Sequence, residues 1–262
     1  MAEAQAADGT SINYMDHGGE GPPVLLVHGI TESHRTWDPI TERLTADHRV
    51  ITMDLRGHGD SGTADRYDLE AMAVDVVAVA AACDVLGTVH LVGHSLGGAV
   101  VSAVGAAAPV ASIVNVDQSL QLGAFKAQLA EVEPMLRNPE TFGAVIDGMF
   151  AQLAGSTIAP EDMARINSFR RADQDVVLGV WELMFSMTEE EVNQVVEGAL
   201  GGYAGKTVPY LSLFGEDPGP DYQAWLAGYI EGAETELWAA NGHYPHLVDP
   251  DRFVERLRAF WS

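Results

Sequence analysis

The sequence predicts an α/β protein: a mostly parallel central sheet flanked by helices and interrupted by a helical cap. Three observations predict it. Short β-rich runs alternate with stretches of helical composition, and several runs are apolar throughout, as strands buried on both faces should be. The chain has 262 residues, 47% of them hydrophobic, enough for one sizeable core. A long segment, 119 to 206, then breaks the alternation without a convincing strand of its own.

In chain order the strand runs are 10 to 16 (TSINYMD), 24 to 28 (VLLVH), 50 to 54 (VITMD), 89 to 93 (VHLVG), 112 to 117 (SIVNVD), 208 to 214 (VPYLSLF) and 235 to 239 (TELWA). Helical composition or period fills 36 to 46, 68 to 86, 97 to 107, 221 to 231 and 250 to 260, the last opened by Asp249-Pro250 with proline near its first turn. The insertion predicts helices over 122 to 136, 139 to 154, 160 to 171, 173 to 186 and 188 to 199. Its breaks are marked by Pro139, Pro160 and the glycines from Gly198 to Gly205. The division is therefore a core of residues 1–118 and 207–262 and a cap of residues 119–206. Met135, Phe142, Met149, Phe150, Phe169, Trp181, Met184, Phe185 and Met187 all fall in the cap. At helical spacing they serve packing, and some are expected to line an apolar pocket.

Acidic residues outnumber basic ones 38 to 14, for a net charge of −24, and the only lysines are Lys126 and Lys206. Such a surface repels phosphate backbones and anionic lipid, which argues against nucleic-acid and membrane partners. Cys83 has no partner in the chain, so no disulfide framework is expected and a reducing cytoplasm suits the protein. The N-terminal stretch lacks the basic and apolar blocks of a signal peptide, and no segment approaches the roughly 18 continuous apolar residues of a membrane span.

The chemistry concentrates at strand ends. The run VHLVG leads directly into Gly93-His94-Ser95-Leu96-Gly97, followed by Gly98 and an Ala/Val-rich helix. A Gly-x-Ser-x-Gly turn between strand and helix lifts the hydroxyl out of the backbone, and the helix amino terminus favours developing negative charge. Ser95 is thus the predicted nucleophile. A serine needs a base near neutral pH, and the base needs an orienting acid. His243, in Asn241-Gly242-His243-Tyr244-Pro245 after the last predicted strand, opens at the same sheet edge as Ser95. His246 is its competitor. The pair also suits a metal, but nothing else resembles a ligand set, so no metal is expected.

Three segments carry a family resemblance: His28-Gly29-Ile30 after one strand, Asp54-Leu55-Arg56-Gly57-His58-Gly59-Asp60-Ser61 after the next, and the elbow around Ser95. Over nearly its whole length the chain resembles the α/β-hydrolase fold superfamily. The resemblance implies that fold, with the cap inserted between the sixth and seventh strands. It also implies an oxyanion hole from the backbone NH groups of Ile30 and Leu96, and a structural role for the Asp54 to Ser61 turn. In most relatives the acid lies just beyond the strand after the cap, but Gly215-Glu216-Asp217-Pro218 puts proline at that place. Asp117, at the end of SIVNVD, is the leading acid and Asp217 the alternative.

The expected function is hydrolysis of a small, mainly apolar carboxylic ester or related acyl compound through an acyl-enzyme, with no metal or organic cofactor. Serine at the elbow argues against the epoxide hydrolase and haloalkane dehalogenase branches, which use aspartate there. The alternatives are a cofactor-free haloperoxidase or dioxygenase of the same fold, or a receptor-like binding protein with little turnover. Trp37, Trp181, Phe185 and Tyr244 are the candidate pocket residues. Oligomeric state is not readable from these features.

Overall fold

Strands that are apolar on both faces must be covered from both sides, and the chain covers them with helices. The computed structural model describes residues 1–262. Its strands are β1 (Ala2–Gln5), β2 (Ser11–Asp16), β3 (Pro23–Val27), β4 (Arg49–Met53), β5 (His90–His94), β6 (Ser112–Val116), β7 (Tyr210–Phe214) and β8 (Glu234–Leu237). They form one eight-stranded sheet in the order β1-β2-β4-β3-β5-β6-β7-β8. β1 pairs antiparallel with β2, and β2 with β4; every other pairing is parallel.

The core helices are α1 (Asp38–Leu44), preceded by a 3₁₀ turn at His34–Trp37, then α2 (Leu69–Ala82) and α3 (Leu96–Ala107). Between β6 and β7 run α4 (Gly123–Leu136), α5 (Pro139–Ala154), α6 (Pro160–Phe169), α7 (Gln174–Val180), α8 (Glu182–Ser186) and α9 (Glu189–Leu200). The chain closes with α10 (Tyr222–Ala227), α11 (Pro245–Val248) and α12 (Pro250–Trp261).

Period-two alternation decides which helix covers which face. Leu25, Val27, Leu91 and Ile113 point to one side, where they share a core with Met72, Val76 and Val79 of α2, Val100 and Val104 of α3, and Leu226 of α10. Val24, Leu26, Val92, Val114, Leu211 and Leu213 point to the other, against Trp37, Ile40 and Leu44 and against Phe253, Val254 and Leu257 of α12. Asp68 caps α2 through the Ala71 amide at 3.1 Å, and Asp249 caps α12 through Arg252 at 3.2 Å. No helix is long and apolar enough to cross a membrane.

Three elements differ from the sequence-based expectation, the short α11 over Pro245–Val248 being one that no expected helix covered. β1 was not expected, because Glu3 and Gln5 make it polar, and it exists only through edge pairing with β2. Counting it, the insertion falls between the sixth and seventh strands. The single helix expected over 173 to 186 is broken at Trp181 into α7 and α8.

The sheet order also places the site. From β3 the chain steps to β4 on one side and later to β5 on the other, so the loops leaving β3 and β5 diverge around a crevice at their carboxyl ends, where open α/β sheets place ligands.

Candidate active site

The turn from β5 into α3 holds Ser95 at φ 52°, ψ −123°, a strained conformation for a residue with a side chain. Its neighbours must be glycine. A Cβ on Gly93 would lie 2.1 Å from the Gly97 carbonyl oxygen, and one on Gly97 would lie 2.2 Å from that of Val27. The backbone can pass this closely only without side chains, and the passage aims Ser95 into a cavity at the sheet edge. Leu96 is the first residue of α3, where amide N–H groups have no intrahelical acceptor. Ile30, in the loop after β3, lines the same cavity.

His243 lies in the loop after β8 and is buried, as is the strand end that carries Asp117. The His243 Nδ1–H donates to Asp117 Oδ2 at 2.6 Å, and the Gly215 amide donates to Asp117 Oδ1 at 2.8 Å. Both carboxylate oxygens are thereby occupied. For His243, burial favours the neutral ring, but the hydrogen bond and charge of Asp117, with Glu32 and Glu216 beyond, raise its pKa above the usual value. For Asp117, burial raises the pKa, and the His243 bond and charge, the Gly215 amide and His94 outweigh that and lower it. The ring is thus fixed with Nδ1 protonated and Nε2 available as a base, the orientation that acyl-transfer chemistry needs.

The alternative acid, Asp217, lines the same cavity but makes no hydrogen bond to His243. Asp217 is exposed and its Oδ1 accepts from the Gly219 amide at 2.8 Å, closing a local turn.

Ser95, His243, Ile30, Leu96 and Asp117 face one cavity of about 290 Å³. Phe125 of α4, Met149 and Phe150 of α5, Trp181, and Met184 of α8 roof it, and Phe214 closes it from β7. Of the four expected pocket residues only Trp181 is among these. Trp37 is fully buried under the opposite face of the sheet, packed on His246 and Phe253. Tyr244 is also fully buried and turns behind His243, its hydroxyl donating to Glu32 at 2.8 Å. Phe185 points out of the cavity and lies beneath the Arg137 guanidinium, 4.9 Å from its ring centre. Met184 and Phe185, three and four residues after Trp181, flank the same helical face, and only Met184 lines the cavity. Phe125, in a helix of mixed composition, gave no signal in the sequence.

The segment from Asp54 to Ser61 is occupied with holding itself together. Asp54 accepts from the amides of His34 at 2.7 Å and Asp60 at 3.0 Å, and Arg56 is bidentate to Asp75 at 2.6 and 2.7 Å. Neither Arg56 nor His58 lines the cavity.

Comparison with known proteins gives a consistent family. The model of the alpha/beta hydrolase family matches residues 24–256. An uncharacterized protein of Mycobacterium tuberculosis is 29% identical over 92% of this chain and 76% of its own length. The structure of a thermophilic esterase from Thermogutta terrifontis superposes with a TM-score of 0.76, covering 99% of this chain and 97% of that one at 24% identity. AqDC, described for recognition and ring-cleavage of the Pseudomonas quinolone signal, superposes with a TM-score of 0.81 over 100% and 99% of the two chains at 18% identity. At those identities the structural likeness is one of fold.

Proposed function

The chain belongs to the alpha/beta hydrolase family, and within it we propose a serine hydrolase that cleaves a small, mainly apolar carboxylic ester or a related lactone or amide. One observation carries this reading. Ser95, on its strained turn, faces the same cavity as His243, whose Nδ1 is tied to a carboxylate at 2.6 Å.

In the proposed cycle His243 Nε2 takes the Ser95 hydroxyl proton as Oγ attacks the acyl carbon. The carbonyl oxygen becomes an oxyanion facing the amides of Ile30 and Leu96; removing one such donor elsewhere costs about 2.7–4 kcal/mol. The tetrahedral species collapses, the bond to the leaving group breaks, and the imidazolium, stabilised by Asp117, gives that group its proton. Water then loses a proton to His243 and attacks the acyl-enzyme. The acid departs and the proton returns to Ser95 Oγ.

The size and lining of the cavity support this substrate class. Its volume is at the lower end of small-molecule sites, and its roof is aromatic and Met-rich, which suits a short or branched apolar acyl group. The net charge of −24 disfavours anionic substrates.

The test combines a fluorophosphonate probe with a panel of short and medium-chain p-nitrophenyl esters and lactones, with Ser95→Ala as the blank. Stoichiometric labelling at Ser95 and turnover abolished in the variant are expected. A folded protein that neither labels nor turns over any acyl substrate sinks the reading, and labelling without turnover points to a ligand-binding relative instead.

A further inference from the structure

A carboxylate outside the proposed triad lies buried among all three loops of the site. Glu32 follows the oxyanion loop and is 2% exposed. Its Oε2 accepts from the Gly29 amide at 3.2 Å and the Thr36 hydroxyl at 3.1 Å, and its Oε1 accepts from the Tyr244 hydroxyl at 2.8 Å. The same Oε2 faces His94 Nδ1 at 3.5 Å. His94 in turn donates its Nε2–H to the backbone carbonyl of His243 at 2.8 Å.

Three of these partners are sequence neighbours of reacting groups. Gly29 precedes Ile30, His94 precedes Ser95, and Tyr244 follows His243. We propose that Glu32 is a positioning residue for the reaction: its carboxylate ties the loop carrying the oxyanion amide to the loop carrying the base, lies against the ring of His94 beside the nucleophile, and sets the field around His243. This rests on the serine hydrolase reading.

Two arguments favour this role over plain packing. Ionised carboxylates are costly to bury, and well-packed apolar residues of similar volume are often as stable or more so, so stability alone does not call for a charge here. The partners also converge from three separate segments, the connection from β3 to α1 that carries Glu32 itself, the end of β5 and the loop after β8, so the carboxylate fixes relative positions that no single element fixes. Burial raises the Glu32 pKa, but His94, Tyr244 and His28 outweigh it and hold the carboxyl well below its usual range, keeping it charged at neutral pH.

The groups facing His243 come from every neighbouring element: Asp117 after β6, Glu216 after β7, Glu32 after β3, His94 from β5, Tyr244 from its own loop and His246 from α11. His246 is held well below its usual pKa by burial and by His94, and the charges of Arg165 and Arg170 act on His246 and Tyr244 respectively. Removing the Glu32 charge therefore lowers the His243 pKa while leaving the Asp117 bond in place.

The test compares wild type, Glu32→Gln and Tyr244→Phe on one p-nitrophenyl ester, measuring kcat, KM and the pH dependence of kcat/KM. Wild type should lose kcat/KM as pH falls through a His243 pKa above the usual 6.5. Glu32→Gln is expected to lose on the order of 10- to 100-fold in kcat, with KM nearly unchanged and the acidic limb displaced to lower pH. Wild-type kcat, or a loss of kcat with an unmoved limb, overturns the proposal. Tyr244→Phe keeps the charge and cuts one tie, so it should lower kcat by about tenfold with the limb in place; wild-type kcat in this variant overturns the positioning role even if Glu32→Gln does not fold. Failure of wild type itself to label or turn over sinks the hydrolase reading and this proposal with it, whereas active wild type with an equally active Glu32→Gln sinks this proposal alone.

Discussion

Ser95 at φ 52°, Asp117 at φ 54° and Thr31 at φ 65° are three of the five residues other than glycine held at positive φ. Each sits just past a strand end around the crevice. Such conformations cost of order 1–3 kcal/mol and persist where the surroundings over-determine them. For Asp117 the determinants are visible: its amide donates to the Leu213 carbonyl at 2.8 Å while its carboxylate accepts from His243 and Gly215. On the proposed serine hydrolase reading, a carboxylate so committed is the one that orients the base. Asp117→Asn is expected to lower kcat by about 10⁴, as the equivalent change does in serine proteases, and Asp217→Asn to leave kcat within about twofold. Steady-state kinetics on the two variants decides this, and the reverse order refutes the assignment. The preference for Asp117 is legible in the sequence because proline at position 218 displaces the usual acid and an apolar strand ends in Asp117. The local turn that occupies Asp217 is not legible, since nothing in Glu216-Asp217-Pro218-Gly219 says where its carboxylate points.

At the scale of elements, the site is a junction. The segment between β6 and β7 reaches the His243 loop directly: the His243 amide donates to the Leu153 carbonyl at 3.3 Å, and the Thr157 hydroxyl to that of Ala240 at 2.7 Å. Ala154, Ile158 and Ile166 of the insertion pack with Tyr244 and Leu247. The roof and the His243 loop therefore share one set of contacts. On the other flank, the turn after β4 is anchored to α2 by the buried Arg56–Asp75 pair, with both side chains almost fully enclosed. Removing Asp75 leaves the buried Arg56 guanidinium with only the half-exposed Asp8 as its counter-charge. Asp75→Asn is expected to cost about 3–5 kcal/mol in urea unfolding, while the remaining folded protein labels with fluorophosphonate at the wild-type rate, because neither residue lines the cavity. A loss below about 1 kcal/mol would show that Asp8, which also bonds Arg56 at 2.9 Å, carries the charge alone.

For the whole molecule the dominant long-range term is charge. Most arginines are already committed to ion pairs, Arg43 to Asp251, Arg49 to Asp16, Arg170 to Asp147 and Arg258 to Asp47 among them, so the excess of 38 acidic over 14 basic residues is left as unbalanced surface carboxylate. Self-repulsion of this kind destabilises the compact state and is screened by salt, the Debye length falling from about 10 Å at 0.1 M to about 3 Å at 1 M. Raising NaCl across that range is expected to raise Tm by several degrees in a thermal melt followed by circular dichroism. A falling Tm would mean that the ion pairs, not the repulsion, are what salt screens.

Local chemistry in the sequence determined the alternation of apolar strands and helices, the insertion, the Gly-x-Ser-x-Gly elbow and the histidine after the last strand. These are written in neighbouring residues, where periodicity, glycine placement and strand-to-helix order act over a few positions. Tertiary structure decided what depends on residues far apart in the chain. It made a strand of Ala2–Gln5 by giving it an edge to pair with, turned Met184 rather than Phe185 into the cavity, and buried Trp37 beneath the opposite face of the sheet. It also set Glu32 against Tyr244 and His94 behind the site. Side-chain direction at a helix break, and the partner of a buried carboxylate, follow from packing across elements, which no stretch of sequence contains by itself.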